Sequence, residues 1–441
     1  MIQAGVIGLT GVWLRQQTRP AISSERSSGG KVIVIGAGFA GLAAARRLAE
    51  TDFDVTVLEA RDRLGGRVWT DESTGTPLDL GASWIHGHRK NPITLLANQF
   101  GLKTQENDDE QTFFTLGNQI EDASDFEKRF APLLASAIKL SERTNSVEDA
   151  IRRSNVEKTL SEKERNSFRR WLNSSIEHEY AADLAELSGY FYDEGGEFKG
   201  GDFLLPGGLG AISNRLAEGL AIEQGTVVRE IDWSTSEVIV RTNRGDHRAS
   251  KVILTLPLGV LQSGTISFLP ALPAAKLGAI NRLGMGLMNK TCLAFPKASW
   301  PAGFNWLNPE SQIPGRWAEF YDPQLKSPHL IGFHVGSQAR QVEQLSDTAT
   351  VEEAVAAIRQ FAPRIHAPTA SLITRWSQDP FALGSYSFIK KGAMRNDREE
   401  LQKPLANRLW FSGEATHSRY PATMHGAYLS GIAVTKAILE S

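Results

Sequence analysis

The chain is poor in cysteine, in basic tracts and in clustered metal ligands. Cys292 is the only cysteine among 441 residues, which excludes an internal disulfide framework and any multi-cysteine metal site. The nine histidines include one close pair, His86 and His88, but no HExxH motif or neighbouring acid completes a site, so no metal cofactor is expected. The formal net charge of −2 and the lack of a basic tract argue against a nucleic-acid partner.

Long apolar runs are also missing, so the sequence predicts no transmembrane helix. The first residues, MIQAGVIGLTGVWL, are apolar like the core of an export signal, yet no basic segment precedes them. We interpret residues 1–30 as a tail or a remnant export signal. The protein is therefore expected to be soluble, and either cytoplasmic or, if the signal reading holds, periplasmic or lumenal.

What the sequence does contain is the pattern of an α/β protein of two or three domains. Residues 32–35 (VIVI) predict a buried strand, 39–50 a helix and 54–59 a second strand, the opening of a nucleotide-binding domain. From about 121 to 192 the sequence becomes charged and helix-forming. Nucleotide-domain sequence thus appears in three pieces separated by two insertions.

Further elements follow in the second insertion and at its border. Strands are predicted at 290–295, 329–335 and 371–376. The spacing Thr350-x-x-Glu353 predicts a capping box for a helix that runs to Phe361.

A glycine motif follows the first strand and opens the first helix. Gly36, Gly38 and Gly41 would permit a tight turn and close approach of a diphosphate to the helix N-terminus, and Glu59 at the next strand end could accept hydrogen bonds from ribose hydroxyls. The alternative is a turn that serves only packing. The acid alone does not distinguish NAD from FAD.

Further motifs continue this pattern along the chain. They are Ala60–Arg67 (ARDRLGGR), Asp79–Gly87 (DLGASWIHG), Leu205–Gly208 (LPGG), Val228, Lys290, Thr374–Trp376 (TRW), Gly384–Tyr386 (GSY), Phe411–Glu414 (FSGE) and Met424–Ala427 (MHGA). In this order they resemble the FAD amine oxidase family, which includes polyamine oxidases, monoamine oxidases and lysine-specific histone demethylases. The resemblance covers nearly all of residues 32–440.

The resemblance implies a fold and a cofactor site. The fold class is α/β: a Rossmann-like FAD-binding domain over residues 31–87, 204–293 and 405–441, with a discontinuous mixed α+β substrate domain over 88–203 and 294–404. The residues implied in cofactor binding are Gly36, Gly38, Ala40, Gly41, Glu59, Arg61, Gly66, Arg67, Ser83, Trp84, Val228, Trp376, Gly413, Glu414, Thr423 and Met424.

Some of these residues suggest a physical role beside the resemblance. Arg67 is expected to bind phosphate, the alternative being a solvated loop residue. Glu414 is expected on the ribityl–pyrophosphate side. The last helix, beginning near Met424, would point its N-terminal N–H groups at the flavin pyrimidine edge, the alternative being a docking helix. Trp376 is expected either beside the isoalloxazine ring or in the core.

Lys290 is the main candidate for chemistry, because a lysine inside the apolar strand NKTCLAF is costly without a partner or a function. The resemblance implies that it holds a water hydrogen-bonded to flavin N5. By burial alone, a lysine that reaches the surface would be the commoner explanation.

The expected catalytic wall comprises Tyr386 and Thr423, beside Lys290. Tyr386 matches one of the two tyrosines that flank the amine in monoamine oxidases, whereas Thr423 occupies the position of the other. Ser385 stands where monoamine oxidases have the cysteine that attaches FAD, so noncovalent FAD is expected.

The substrate expected from the resemblance is a polyamine, oxidised with O2. His86 is expected as a further catalytic residue at the amine-binding site, because Trp84–Gly87 resembles the stretch that brings a histidine there in animal spermine oxidases. The alternative is a surface-loop histidine. Asp193, Glu194, Glu197 and Asp202 form an acidic run that could hold distal ammonium groups or could be a solvated loop. Trp84 replaces the carboxylate-binding arginine of L-amino-acid oxidases, which disfavours amino acids. The alternatives are an oxidase of other amines, a desaturase of the same fold or a non-catalytic binding protein.

Overall fold

A computed structural model of the chain describes residues 29–107, 111–116, 119–142, 145–311 and 313–441. The interpretation of residues 1–30 as a tail or signal therefore falls almost entirely outside the described residues. Within them, no helix is both long and apolar enough to span a bilayer.

The first layer of the fold is a sheet of five parallel strands. In spatial order they are Leu409–Phe411, Lys251–Leu254, Lys31–Ile35, Asp54–Leu58 and Ala221–Glu223. The central strand is buried from Val32 to Ile35, as expected for a parallel sheet covered on both faces. The predicted strand–helix–strand opening and the α/β fold class are confirmed.

Two helices pack against each other on this sheet. Phe39–Leu48 follows the first strand, and Met424–Leu439 closes the chain beside it. Their close crossing requires a glycine, because a Cβ at Gly431 would lie 2.3 Å from the carbonyl oxygen of Ala40. Segments more than 380 residues apart in sequence thus share one core.

Further strands of the described residues form a four-stranded sheet and two-stranded pairs. A four-stranded sheet contains Gly245–Ala249, Val238–Thr242, Val228–Asp232 and Ser267–Leu269. Two-stranded pairs are formed by Gly284–Met285 with Ser387–Phe388, Thr70–Asp71 with Leu78–Asp79, and Gln105–Glu106 with Phe203–Leu204.

The second large layer is a seven-stranded mixed sheet. Its strands, in spatial order, are Ala370–Ile373, Met288–Ala294, His329–Val335, Glu319–Tyr321, Trp306–Asn308, Thr112–Leu116 and Gln119–Asp122. The three strands predicted from the second insertion and its border are all present. Met288–Ala294 belongs wholly to this sheet, although the predicted FAD-binding segment extends to residue 293. The division into domains stays a prediction.

Helices cover the outer faces of both sheets. The remaining α-helices are Pro92–Gln99, Ala123–Ile138, Val147–Ser154, Glu162–Leu172, His178–Tyr180, Gly210–Ala217, Leu258–Ser263, Ala274–Arg282, Gly336–Val342, Asp347–Ile358 and Asn396–Gln402. Shorter turns are the 3₁₀ segments Val156–Thr159 and Glu414–Thr416 and the π-helical turn Asn173–Glu177. The charged segment near 121–192 is largely helical, as its composition predicts.

The predicted capping box at Thr350 is wrong. The helix Asp347–Ile358 begins earlier, with Ser346 as N-cap accepting a hydrogen bond from the Ala349 N–H. Thr350 lies within the first turn and donates to the Ser346 carbonyl at 3.0 Å, while Glu353 pairs with Arg316. A tertiary ion pair, not a local cap, accounts for this glutamate.

Candidate active site

A cavity of about 870 Å³ extends between the parallel sheet and the seven-stranded sheet. It begins at the glycine turn after the first strand and reaches Lys290 on the seven-stranded sheet and Tyr386 just before the short strand Ser387–Phe388. Most of the sequence-predicted site residues, from both ends of the chain, line this one space. Its length and its two chemically different ends suit a long cofactor with a substrate beside it.

The glycine turn shapes the near end of the cavity. Gly36 has φ +104°, and a Cβ at Gly41 would lie 1.9 Å from the Gly36 carbonyl oxygen, so both positions require glycine. The helix Phe39–Leu48 has Gly38 as N-cap and no side-chain cap. Its N-terminal N–H groups and positive dipole end are therefore available to a diphosphate.

Glu59 holds this turn together. One carboxylate oxygen accepts the Ala37 N–H at 2.7 Å, and the other accepts the Arg61 N–H at 2.9 Å. The side chain is buried at the strand end and lines the cavity. Each oxygen has a second acceptor position, so the geometry fits the predicted ribose contact.

A second glycine pair lies against the first. Gly65 and Gly66 both have positive φ, and a Cβ at Gly66 would lie 3.5 Å from the Gly38 Cα. Arg61 is held by Asp379 at 2.8 Å, which fixes its guanidinium near the cavity.

Arg67 and Glu414 form an ion pair instead of standing apart. Arg67 Nη1 lies 2.8 Å from Glu414 Oε1 and also donates to the Ser385 carbonyl at 2.9 Å. Burial alone would raise the pKa of Glu414, but the Arg67 charge and a hydrogen bond from Ser387 hold it below its usual range. The remaining guanidinium N–H groups still allow the predicted phosphate contact.

Other predicted cofactor residues also line this space. They are Ala40, Ser83, Trp84, Val228, Trp376, Gly413, Thr423 and Met424. Trp376 is buried against Trp69 and also lines the cavity, and its position beside the isoalloxazine ring stays a prediction.

Thr423 is the N-cap of the last helix. Its hydroxyl accepts the Gly426 N–H at 2.9 Å and donates to the Tyr420 carbonyl at 3.0 Å. These two bonds fix the start of the helix Met424–Leu439, and Met424 lines the cavity. The hydroxyl is thus engaged in capping, and the catalytic role expected for Thr423 stays a prediction.

Lys290 is buried on the floor of the cavity, and its ammonium group is fully hydrogen-bonded. It donates to the carbonyls of Asp79 at 2.8 Å and Gly81 at 2.7 Å, and to the Ser83 hydroxyl. Burial lowers its pKa to about 8. Lys290 therefore fixes the loop 79–83 at the cavity wall, a contact that periodicity alone does not reveal.

Ser385 and Tyr386 line the cavity beside the start of the strand that contains Lys290. The Ser385 hydroxyl accepts from the Met288 N–H and donates to the Met288 carbonyl, both at 2.8 Å. The Tyr386 hydroxyl donates to the His178 carbonyl at 3.0 Å. Burial, with the charges of Glu179 and Glu319 adding to it, raises the pKa of Tyr386 well above its usual range, so it stays a neutral phenol.

Several acidic side chains lie where the cavity approaches the loop 193–202. His86 Nδ1 contacts Asp202 at 2.6 Å, and Asp193 and Glu197 line the same region. Burial would raise the pKa of Asp202, but the hydrogen bond and charge of His86 lower it. Asp202 is therefore partly buried and paired, whereas Asp193 and Glu197 are exposed.

Glu194 is the exception within that run. It forms a buried ion pair with Arg398 at 2.6 Å, with the two side chains 4% and 1% exposed respectively. Because its charge is already paired with Arg398, Glu194 is not available to bind an ammonium group.

Glu179 is the acid that sequence reasoning missed. Its side chain is exposed and lines the cavity. Desolvation by the surrounding protein still raises its pKa, as do the carboxylates of Glu197, Asp202 and Asp193, against the effect of His86. Glutamates are common in charged helical sequence, so nothing in the pattern marked this one.

The residues fit an FAD. The glycines would leave room for a diphosphate at the uncapped end of the helix Phe39–Leu48, and Glu59 would be available to the ribose hydroxyls. When bound, FAD supplies a two-electron acceptor that O2 can reoxidise.

Fold and cavity together define an α/β dinucleotide-binding protein. Residues 39–439 match the family model described as flavin containing amine oxidoreductase, and the chain belongs to this family. Family membership implies a flavin cofactor.

Two relatives are each 34% identical to this chain. Polyamine oxidase 2 of Arabidopsis thaliana is 34% identical, over 91% of this chain and 86% of its own length. Lysine-specific histone demethylase 1 homolog 1 of Oryza sativa subsp. japonica is also 34% identical, over 91% of this chain. The chain spans about half the length of this demethylase.

Solved structures share the fold at lower identity. Putrescine oxidase bound to putrescine is 21% identical with a TM-score of 0.76, and cyclohexylamine oxidase from Brevibacterium oxydans IH-35A is 22% identical with a TM-score of 0.77. Each comparison covers 93% of this chain and 99% of the other.

Proposed function

We propose that the protein is an FAD-dependent amine oxidase that acts on polyamines. Spermine or spermidine, O2 and water would give an aminoaldehyde, an amine and H2O2. FAD would be held noncovalently. The protein would orient the amine, exclude water around the reacting carbon and favour substrates that carry further positive charges.

The observation that carries this proposal is the position of Glu179. It stands in the cavity with Asp193, Glu197 and Asp202, and its electrostatic coupling reaches both these acids and Tyr386. A monoamine offers one positive charge, which must be lost before hydride departs. A polyamine keeps further charges, which these acids would bind.

A second support is the apolar wall between the acids and Lys290. Trp84, Trp306 and Phe333 pack together there, with ring centroids 5.2–6.3 Å apart. Such a wall suits the methylene chain between two nitrogens and excludes water around the reacting carbon.

Noncovalent cofactor binding has a direct test. Acid or heat precipitation of the yellow protein should release all of its FAD into the supernatant, because the Ser385 hydroxyl cannot form a thioether. Absorbance and chromatography of the supernatant measure this. Flavin that stays with the precipitated chain would contradict the prediction.

The substrate proposal predicts a particular response to Glu179→Gln. Its KM for spermine should rise roughly ten- to a hundredfold, the scale of one lost hydrogen bond to a charged group, while its KM for benzylamine changes little. Peroxide release with spermine, spermidine, putrescine, N-acetylated polyamines and benzylamine measures this.

Glu162→Gln, which neutralises an exposed glutamate in the same helical insertion, is the control and should behave like wild type. A dimethyl-lysine peptide forms a further arm, because histone demethylases are equally similar relatives. Wild-type activity confined to that peptide, or to monoamines, would overturn the polyamine proposal.

A further inference from the structure

Three neighbouring strands of the seven-stranded sheet place one row of side chains across the cavity floor. Lys290 is directly opposite Phe333, and Phe333 is directly opposite Glu319. Residues directly opposite in antiparallel strands point to the same face, so Lys290 and Glu319 share a face. Their strands lie roughly 10 Å apart, twice the usual interstrand spacing.

Glu319 is held by a turn of helix from the other insertion. His178 Nδ1 contacts one carboxylate oxygen, and the Ser174 hydroxyl donates to the other at 3.0 Å. Both partners come from the segment around the π-helical turn Asn173–Glu177, one helical turn apart. Glu319, His178 and Ser174 all line the cavity, although His178 and Glu319 are only 5% and 7% exposed.

This contact assigns Nδ1 of His178 to the carboxylate. In the neutral ring, Nδ1 would then carry the proton and Nε2 would be an acceptor. Nε2 is buried and has no hydrogen-bond partner among the described residues. An ammonium group bound in the cavity would supply the hydrogen bond that Nε2 lacks, and the neighbouring Glu319 carboxylate would favour a cation there.

The pair is separate from the acids of the loop 193–202. Glu179 is coupled to His86, Asp193, Glu197 and Asp202, whereas Glu319 belongs to the Lys290 row. The charges of both Glu179 and Glu319 raise the pKa of Tyr386, and the Tyr386 hydroxyl donates a hydrogen bond to the His178 carbonyl. The cavity therefore presents two carboxylate positions near Tyr386, one in each group.

We propose that Glu319 and His178 Nε2 form a second ammonium subsite, on the Lys290 side of the reacting centre. This inference rests on the proposed function and deepens it. A bound substrate would have a positive nitrogen on either side of the oxidised carbon, so good substrates need at least three nitrogens. The reacting nitrogen is then an internal secondary amine: R–CH2–NH–R′ + O2 + H2O gives the aldehyde R–CHO, the primary amine R′–NH2 and H2O2.

The test compares Glu319→Gln with wild type in anaerobic flavin reduction by spermidine and by N-methylbutylamine, a secondary amine with one charge. The apparent Kd for spermidine should rise about tenfold or more, and that for N-methylbutylamine should stay within about twofold. His178→Phe, which removes the acceptor, should show the same selectivity. Asp322→Asn is the control, since this carboxylate follows the same strand and bonds Trp300.

The products of the wild-type enzyme test the second subsite even if a variant does not fold. Spermidine turnover should release amine and aldehyde without ammonia, and putrescine should be a poor substrate. Equal effects of Glu319→Gln on both probes, or ammonia released in step with peroxide, would overturn the second subsite. An enzyme that oxidises no polyamine would instead overturn the proposed function itself.

Discussion

Replacing Lys290 with methionine is expected to slow flavin reduction, flavin reoxidation or both by at least about tenfold. The change removes a cation and three hydrogen bonds that fix the loop 79–83 at the cavity. Because burial lowers the pKa of Lys290 to about 8, the ammonium form predominates below this pH and is lost as pH rises through it. A pH-dependent rate change near 8 in the wild type should be absent from the variant. Stopped-flow absorbance of each half-reaction measures both effects.

The chain offers a closely matched control for this variant. Lys276 is also buried, also donates to three groups, the carbonyls of Glu400, Leu401 and Lys403, and its pKa is also lowered to about 8 by burial. It does not line the cavity. Lys276→Met should therefore lower stability without altering either half-reaction. Wild-type rates in Lys290→Met, or an equal slowing in Lys276→Met, would rule out a specific role for Lys290.

Replacing Arg398 with methionine is expected to lower the free energy of unfolding by about 3–5 kcal/mol, the usual cost of leaving a buried charge unpaired. Arg398 pairs with Glu194 and donates to the Ser387 hydroxyl at 2.7 Å. Ser387 in turn donates to Glu414 at 2.6 Å, so FAD content should fall as well. Urea titration with far-ultraviolet circular dichroism measures the stability.

The control for Arg398 is an exposed ion pair. Arg340 lies 3.3 Å from Glu186 with about half of its side chain exposed, so Arg340→Met should cost less than about 1 kcal/mol. Adding Glu194→Gln to Arg398→Met should recover part of the loss, since no buried charge then remains unpaired. If Arg398→Met costs no more than the Arg340 variant, the pair does not stabilise the fold.

The local sequence was sufficient to predict structure wherever the residues that form an element lie close together in the chain. The strand before Gly36, the turn that only glycine permits and the helix after it are all encoded within about twenty residues, and the structure has them where they were predicted. The strand that contains Lys290 was equally clear, because a short continuous apolar run indicates a buried strand.

Tertiary structure decided which charged groups meet. Glu194 and Glu179 are both acids in charged sequence, but Arg398, 204 residues away, pairs with the first and leaves the second open to the cavity. Glu319 acquires its position from strand register with Phe333 and Lys290, and its partner from the turn before His178. Charge and hydrophobicity are properties of single residues, whereas pairing and burial depend on distances that only the folded chain sets.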